Sequence, residues 1–130
     1  MAETSIIEIQ KNMGSNQKTY DLEERTFVFA KNVRLMLKKI PKNFLNHTDI
    51  DQLLRSSGSV GANYIEANEA LSKRDFTHRM KITRKECKES SYWLELLKEA
   101  NPKFKEEIND SIQESKELRN IFTSIIEKSK

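Results

Sequence analysis

The chain has 130 residues, of which 33% are charged and 36% hydrophobic, and its formal net charge is +3. This length is typical of one domain, and a charge this small does not by itself indicate a nucleic-acid binder. The longest apolar run, residues 27–30, is far shorter than the roughly 20 residues that cross a bilayer, so we expect no membrane segment. One cysteine cannot form an internal disulfide, and with only two histidines it argues against a zinc site.

The first segment, residues 1–19, has no long hydrophobic period, and its only apolar cluster is Ile6, Ile7 and Ile9. We expect a flexible N-terminal tail, with docking of this cluster on a neighbouring subunit as the alternative. The start of the chain also lacks the basic and apolar pattern of a secretory signal. We therefore expect a cytoplasmic protein, with residues 20–130 forming one domain.

The first predicted helix begins near Asp21, which can cap the free amides with Glu24 as its capping-box partner. It ends near Ile40, because the residue before Pro41 avoids the helical region. Its apolar residues recur at helical spacing and share one arc: Leu22, Phe29, Ala30, Val33, Met36, Leu37 and Ile40.

The second predicted helix runs from about Thr48, with Asp51 as the reciprocal capping partner, to about Leu71. Gly58 and Gly61 lie on its apolar side, although each glycine costs about 1 kcal/mol against alanine inside a helix. They predict close packing against another backbone or a bend. The apolar arc consists of Ile50, Leu53, Leu54, Val60, Tyr64, Ile65 and Leu71.

The third predicted helix begins near Ser72, with Asp75 three residues on, and reaches about Ala100; the fourth begins at Asn101 and Pro102. Short connections between helices of similar length predict an all-α fold, an antiparallel up-down-up-down four-helix bundle. The core arc of the third helix is Phe76, Met80, Thr83, Cys87, Ser90, Leu94 and Leu97. That of the fourth is Phe104, Ile108, Ile112, Leu118, Phe122, Ile125 and Ile126.

Basic residues cluster on the third helix, where residues 73–88 contain seven Lys or Arg against two acids. A basic helical stripe suits a phosphate backbone, because each contact releases condensed counterions. A solvated face, or contact with an acidic protein, is the alternative. The stripe consists of Arg74, Lys81, Arg84, Lys85 and Lys88, and a second basic patch consists of Lys38, Lys39 and Lys42.

Several apolar residues lie away from the core arcs of the first and third helices. A contiguous exposed patch of such residues would mark a protein interface, so we expect self-association. Val28 and Leu35 lie on the first helix, and Ile82, Trp93 and Leu96 lie on the third.

Catalytic motifs are missing from the sequence: there is no Gly-x-Ser-x-Gly, His-Glu-x-x-His or Glu-x-x-His. His47 and His78 have no such partners, and Cys87 lies on the core arc, where an inert buried thiol is expected. Carboxylates of the middle helices are expected to pair with Arg55 or Arg79. We therefore expect neither an enzyme nor a cofactor.

Residues 55–67 read RSSGSVGANYIEA. This stretch resembles the signature of the four-helix-bundle family named after the 23S rRNA intervening sequence, in which Arg55, Ser59, Asn63 and Glu66 match by position. Residues 20–26, 75–76 and 88–97 are also similar to that family, so that the resemblance covers about residues 20–126. Two positions depart from the pattern: Tyr64-Ile65 replaces the usual Ile-Ala, and Ala67 replaces the usual Gly.

The resemblance implies a small bacterial protein without catalytic activity that assembles as a ring-shaped pentamer of antiparallel bundles. A related branch serves retroelements as an accessory subunit, which binds a reverse transcriptase and nucleic acid through a basic surface. The matched motif residues lie on the flank of the second helix, where a polar interface between helices or between subunits is expected.

Two hypotheses follow for the function. The first is an oligomeric accessory protein that binds RNA or DNA through its phosphates. The second is a protein-interaction scaffold without a nucleic-acid role, in which Val28, Leu35 and the polar flank of the second helix bind another protein.

Overall fold

The computed structural model describes residues 21–130, and all of its regular elements are helical. Helix α1 spans Leu22–Leu37, α2 spans His47–Asn68, α3 spans Lys73–Ala100 and α4 spans Lys105–Lys128, with a 3-10 helix at Pro102–Phe104. The predicted all-α fold with four helices is confirmed. The expected tail and its cluster of Ile6, Ile7 and Ile9 lie outside the described residues. No helix within residues 21–130 has an apolar stretch long enough to cross a membrane.

Neighbouring helices run in opposite directions, as the contacts between their side chains show. Arg84 bonds to Thr123 across α3 and α4 at 3.4 Å, whereas Ser91, farther along α3, meets Ser115, which is earlier on α4. The same reversed order holds between α1 and α2, between α2 and α3, and between α1 and α4. Since α4 packs against α1 as well as α3, the four helices enclose one core.

The core is a single cluster of apolar side chains from all four helices. Burying a large apolar side chain contributes about 1.5–3 kcal/mol, so these residues dominate the stability of the bundle. Leu71 was predicted to lie on the apolar face of the second helix, but it is 98% exposed, because α2 ends at Asn68 and Leu71 lies in the connection to α3. The largest fully buried side chains include Phe29, Tyr64, Phe76 and Phe122.

Two predicted helix starts are confirmed by their capping hydrogen bonds. The Asp21 carboxylate accepts a hydrogen bond from the backbone N–H of Glu24 at 3.0 Å. The Ser72 hydroxyl accepts one from the N–H of Asp75, also at 3.0 Å. These caps satisfy amides that lack partners within the first turn of α1 and α3.

The other predicted ends need correction. The N-cap of α2 is Asn46, so Thr48 lies inside the first turn and the expected capping box with Asp51 does not form. Asn46 is buried, and its amide instead exchanges two hydrogen bonds of 2.9 Å with the amide of Asn101. This pair ties the connection between α1 and α2 to the end of α3. Because the Asn101 side chain is used there, α4 begins after a 3-10 turn without a side-chain cap.

The first helix is also shorter than predicted, since α1 ends at Leu37 rather than near Ile40. Residues 38–40 continue as a hydrogen-bonded turn, in which the N–H of Ile40 donates to the carbonyl of Leu37 at 3.1 Å. The side chain of Ile40 is nevertheless buried, as its place on the apolar arc predicts.

Candidate nucleic-acid interface

The basic stripe of α3 lies beside α4, and the two helices together form an open basic surface. Lys81, Arg84, Lys85 and Lys88 line a depression of about 430 Å³ together with Arg119 of α4. We call these five residues the basic surface. Arg74, predicted as part of the stripe, is exposed on the first turn of α3 but does not line the depression.

Arg119 is the basic residue that the sequence analysis missed. Lys116 precedes it by one turn, but Glu114 and Glu117 lie in the same turns of α4, so the sequence of that helix shows no basic stripe. Its place beside Lys88 and Arg84 depends on the register between α3 and α4. A helical wheel drawn for one helix cannot give that register.

The five cations are uncompensated within the described part of the chain. None of them makes an ion pair with another residue of 21–130, whereas Arg25 and Arg55 each pair with two carboxylates. Arg84 donates a hydrogen bond of 3.4 Å to the Thr123 hydroxyl, which holds its guanidinium group against α4. The pKa of Glu127 on α4 is lowered, chiefly by its hydrogen bond with Lys130 and further by the charges of Arg84 and Lys81.

The three residues of the second predicted basic patch lie in different surroundings. Lys38 lines a groove between α1 and α2, and Lys42 lines a separate pocket by the connection between those helices. Lys39 lies 3.8 Å from the Glu107 carboxylate. All three side chains are exposed, but they face different surroundings.

The motif residue Arg55 joins two helices of the same subunit. Its guanidinium group donates to Glu86 at 3.1 Å and also to Glu89, and both acids lie on α3. Glu86 is only 8% exposed, so Arg55 compensates a nearly buried carboxylate. Glu89 in addition accepts a hydrogen bond of 3.0 Å from the indole N–H of Trp93. We call Arg55, Glu86, Glu89 and Trp93 the α2–α3 clamp.

The remaining motif residues do not join the clamp. The Ser59 hydroxyl donates to the carbonyl of Arg55, and the Asn63 amide donates to the carbonyl of Ser59, so both are bonded within α2. Glu66 is exposed. Arg55 therefore makes a polar contact between helices, and a polar interface formed by the whole motif stays a prediction.

An apolar groove runs along the outside of α1 and α2 and has a volume of about 540 Å³. Leu35, a predicted interface residue, is exposed and lines it, whereas Val28 is half-buried and lies outside the lining. The groove is also lined by Phe27, which was not predicted as an interface residue, and by Ile65. Ile65 was predicted to lie on the apolar core arc of the second helix, but it is 50% exposed on the outside of α2.

The two glycines of α2 lie at the base of this groove and allow α1 to approach. A Cβ atom at Gly61 would lie 3.0 Å from the Thr26 hydroxyl oxygen, and one at Gly58 would lie 3.2 Å from the Arg34 guanidinium group. The predicted close packing against another backbone is confirmed, because the carbonyl carbon of Thr26 is 3.7 Å from the same Gly61 position.

The titratable groups considered for catalysis lie apart from one another. His47 is exposed, 3.3 Å from the Asp51 carboxylate, and His78 is exposed on α3. Cys87 is buried as predicted, its thiol donates to the carbonyl of Ser115 at 3.1 Å, and burial raises its pKa to about 12. Within residues 21–130, no group of three or more His, Cys, Asp or Glu side chains could hold a metal ion.

Comparison with known proteins gives one family and one solved structure. The family model for the 23S rRNA-intervening sequence protein matches residues 18–124. The crystal structure is that of a protein with unknown function, from the S23 ribosomal protein family of Bacteroides thetaiotaomicron VPI-5482. The two chains share 34% sequence identity with a TM-score of 0.70, and the match covers 80% of this chain and 96% of the other. A search of curated proteins gives no match. Since the family model spans most of the chain, the protein belongs to the 23S rRNA-intervening sequence protein family.

Proposed function

We propose that this protein is a non-enzymatic, homo-oligomeric bundle that binds RNA or DNA through its backbone phosphates. The observation that carries the proposal is the basic surface, in which five cations from two helices face an open depression without ion-pair partners among residues 21–130. Lysine and arginine bind phosphate oxygens and release counterions from the nucleic acid, which favours binding without base recognition.

The composition of the basic surface supports backbone contacts rather than base contacts. Among residues 21–130 no aromatic side chain lines the depression, although base stacking on aromatic rings is what most single-strand binders use. The guanidinium groups of Arg84 and Arg119 can each form two parallel hydrogen bonds to a phosphate, while the lysines act as point charges. The expected ligand is therefore a phosphate backbone of any sequence.

Assembly of several copies would strengthen a site that is weak in one copy. Phe27, Leu35 and Ile65 expose apolar surface along one groove, as a protein interface does. Several basic surfaces on one assembly would bind one nucleic acid together, since each further contact is intramolecular. A pentamer is the assembly that the family resemblance favours.

The test is a binding titration of the full chain with labelled duplex RNA and with duplex DNA of the same sequence, at several salt concentrations. Charge reversal by Arg84→Glu with Lys88→Glu should lower the affinity about tenfold or more at low salt. It should also reduce the slope of log affinity against log salt concentration by about two, one for each lost phosphate contact.

The matched control is Lys103→Glu with Lys105→Glu, which changes the net charge equally at exposed positions outside the basic surface. This variant should keep most of the affinity and the salt slope. Binding that does not depend on salt, or an equal loss in both variants, would contradict the proposal.

The second candidate, a protein-interaction scaffold, is favoured by the apolar groove between α1 and α2. In that case the cations serve only solubility, and the purified protein should carry no nucleic acid. The ratio of absorbance at the nucleic-acid and protein maxima after purification separates the two candidates before any titration.

A further inference from the structure

An exposed aromatic side chain lies on α3 just beyond the basic surface. Tyr92 follows Lys88 by four residues, which is one helical turn or about 6 Å along the axis. Residues three or four apart are neighbours on a helix, so the three lysines of the basic surface lie in one row that continues to Tyr92. Tyr92 is 57% exposed, and its ring is therefore accessible to a ligand that binds these lysines.

The ring of Tyr92 is supported by its neighbour Trp93. Their ring centroids are 5.0 Å apart, and the two ring planes meet at 75°. In such an edge-to-face pair the edge of one ring meets the face of the other, so at least one face of Tyr92 stays free of Trp93. The indole of Trp93 is fixed in turn by its hydrogen bond to Glu89 at 3.0 Å and by packing against the core. Tyr92 is therefore an exposed ring on a rigid support.

The acids nearest to Tyr92 along α3 already have partners. Glu89, three residues before it, is bound in the α2–α3 clamp. Glu95, three residues after it, lies 2.9 Å from the ammonium group of Lys98. Lys88, by contrast, makes no ion pair with any residue of 21–130. A phosphate group that approaches this turn of α3 therefore meets an unpaired cation.

We propose that Tyr92 stacks on an unpaired base of a nucleic-acid strand whose phosphates bind the basic surface. This inference rests on the proposed function and deepens it, because it names single-stranded nucleic acid as the preferred ligand. One nucleotide is long enough to place its phosphate on Lys88 and its base on the ring one turn later. The lysines hold the backbone, and Tyr92 adds a contact that only an accessible base makes.

The preference for a single strand follows from where the faces of the bases lie. In a duplex each base is stacked between its neighbours, and its face is not accessible to a side chain on the protein surface. In a single strand the bases are free to stack on aromatic side chains. Every base has such a face, so stacking on Tyr92 selects the form of the strand and not its sequence.

Binding titrations of the full chain with a labelled single strand of mixed sequence, and with the duplex that it forms with its complement, test this inference. Tyr92→Leu should lower the affinity for the single strand about fivefold, the lower end of what stacking of one base contributes. It should leave the affinity for the duplex unchanged. Tyr92→Phe keeps the ring and should bind both ligands as the wild type does. RNA and DNA versions of each ligand show whether the sugar matters.

The matched control is Phe44→Leu, which removes another exposed aromatic ring, in the connection between α1 and α2 and outside the basic surface. This variant should keep the affinity for both ligands. Circular dichroism checks that all variants fold, and light scattering checks that their mass is that of the wild type.

Four outcomes overturn the inference. Single-strand affinity that is unchanged in Tyr92→Leu shows that the basic surface binds phosphates without stacking, and the proposed function then stands alone. An equal loss for single strand and duplex, or an equal loss in Tyr92→Leu and Tyr92→Phe, shows that the ring does not act by stacking. A lower mass of Tyr92→Leu places Tyr92 between copies of the chain.

Failure of the proposed function has a different signature. In that case Arg84→Glu with Lys88→Glu keeps the affinity for both ligands, whatever the Tyr92 variants do. This result would overturn the proposed function together with the inference that rests on it.

Discussion

The α2–α3 clamp and the basic surface both present arginine on the outside of the bundle, but with opposite surroundings. Arg55 bonds to two carboxylates from the neighbouring helix, whereas Arg84 and Arg119 face an open depression with no acid in bonding range among residues 21–130. A cation that compensates a nearly buried carboxylate contributes to stability. The clustered cations of the basic surface make no such ion pair, so they contribute little to stability, and their role in binding stays a proposal.

Replacing Arg55 should have the largest effect on stability. Arg55→Met keeps most of the side-chain volume but leaves Glu86 nearly buried and without its partner. Breaking a fully buried pair costs about 3–5 kcal/mol, and the partial exposure of Arg55 reduces our expectation to about 2 kcal/mol. Urea unfolding followed by circular dichroism measures the difference in the free energy of unfolding.

The control for this prediction is Arg79→Met, because Arg79 has only a distant pair with Asp75 at 3.8 Å on the same helix. That variant should lose less than about 0.5 kcal/mol. If Arg55→Met and Arg79→Met lose equal amounts, the clamp does not stabilise the contact between α2 and α3.

The fold is predictable from this sequence because its signals are local. Helical periodicity finds the core residues of each helix, and Asp21 and Ser72 cap helices by bonds within their own first turn. The Asn46–Asn101 pair is different, because each side-chain amide bonds to the other, far away in the chain, and not to the first turn of a helix. The start of α2 was therefore wrong by a residue or two.

The candidate site is less predictable, because it depends on the register between helices. The stripe on α3 follows from one helical wheel, but Arg119 joins it only through the packing of α4. The partners of Arg55 lie more than thirty residues away on another helix. Leu35 was predicted from its own helix as an off-arc apolar residue, but the groove that it lines lies between two helices, and one helical wheel does not show their close approach at Gly61.

Acid should weaken the clamp through Glu89. Its pKa is lowered from the ordinary value of about 4.5, first by the hydrogen bond from the Trp93 indole and then by Arg55. A carboxyl group with a lowered pKa in the folded state stabilises the fold above pH 4.5, and this contribution is lost as the pH falls through the folded pKa.

The measurement compares wild type with Glu89→Gln by thermal unfolding at pH values from 3 to 7, followed by the fluorescence of Trp93, the only tryptophan. The melting temperatures should differ most above pH 4.5 and converge as the pH falls through the lowered pKa of folded Glu89. A difference that is constant over this range would show that the Glu89 charge has no part in the clamp.

Charge reversal on the basic surface should have the smallest effect on stability, which sharpens the contrast with the clamp. Arg84→Glu with Lys88→Glu removes no ion pair among residues 21–130, and surface substitutions of this kind change stability by about 0.5 kcal/mol or less. The substitutions also relieve repulsion from Lys81 and Lys85, so we expect the melting temperature to stay the same or to rise slightly. If this variant unfolds as readily as Arg55→Met, the basic surface is needed for folding. A loss of nucleic-acid affinity in this variant would then result from the lower stability of the bundle, and it would not identify Arg84 and Lys88 as a binding site.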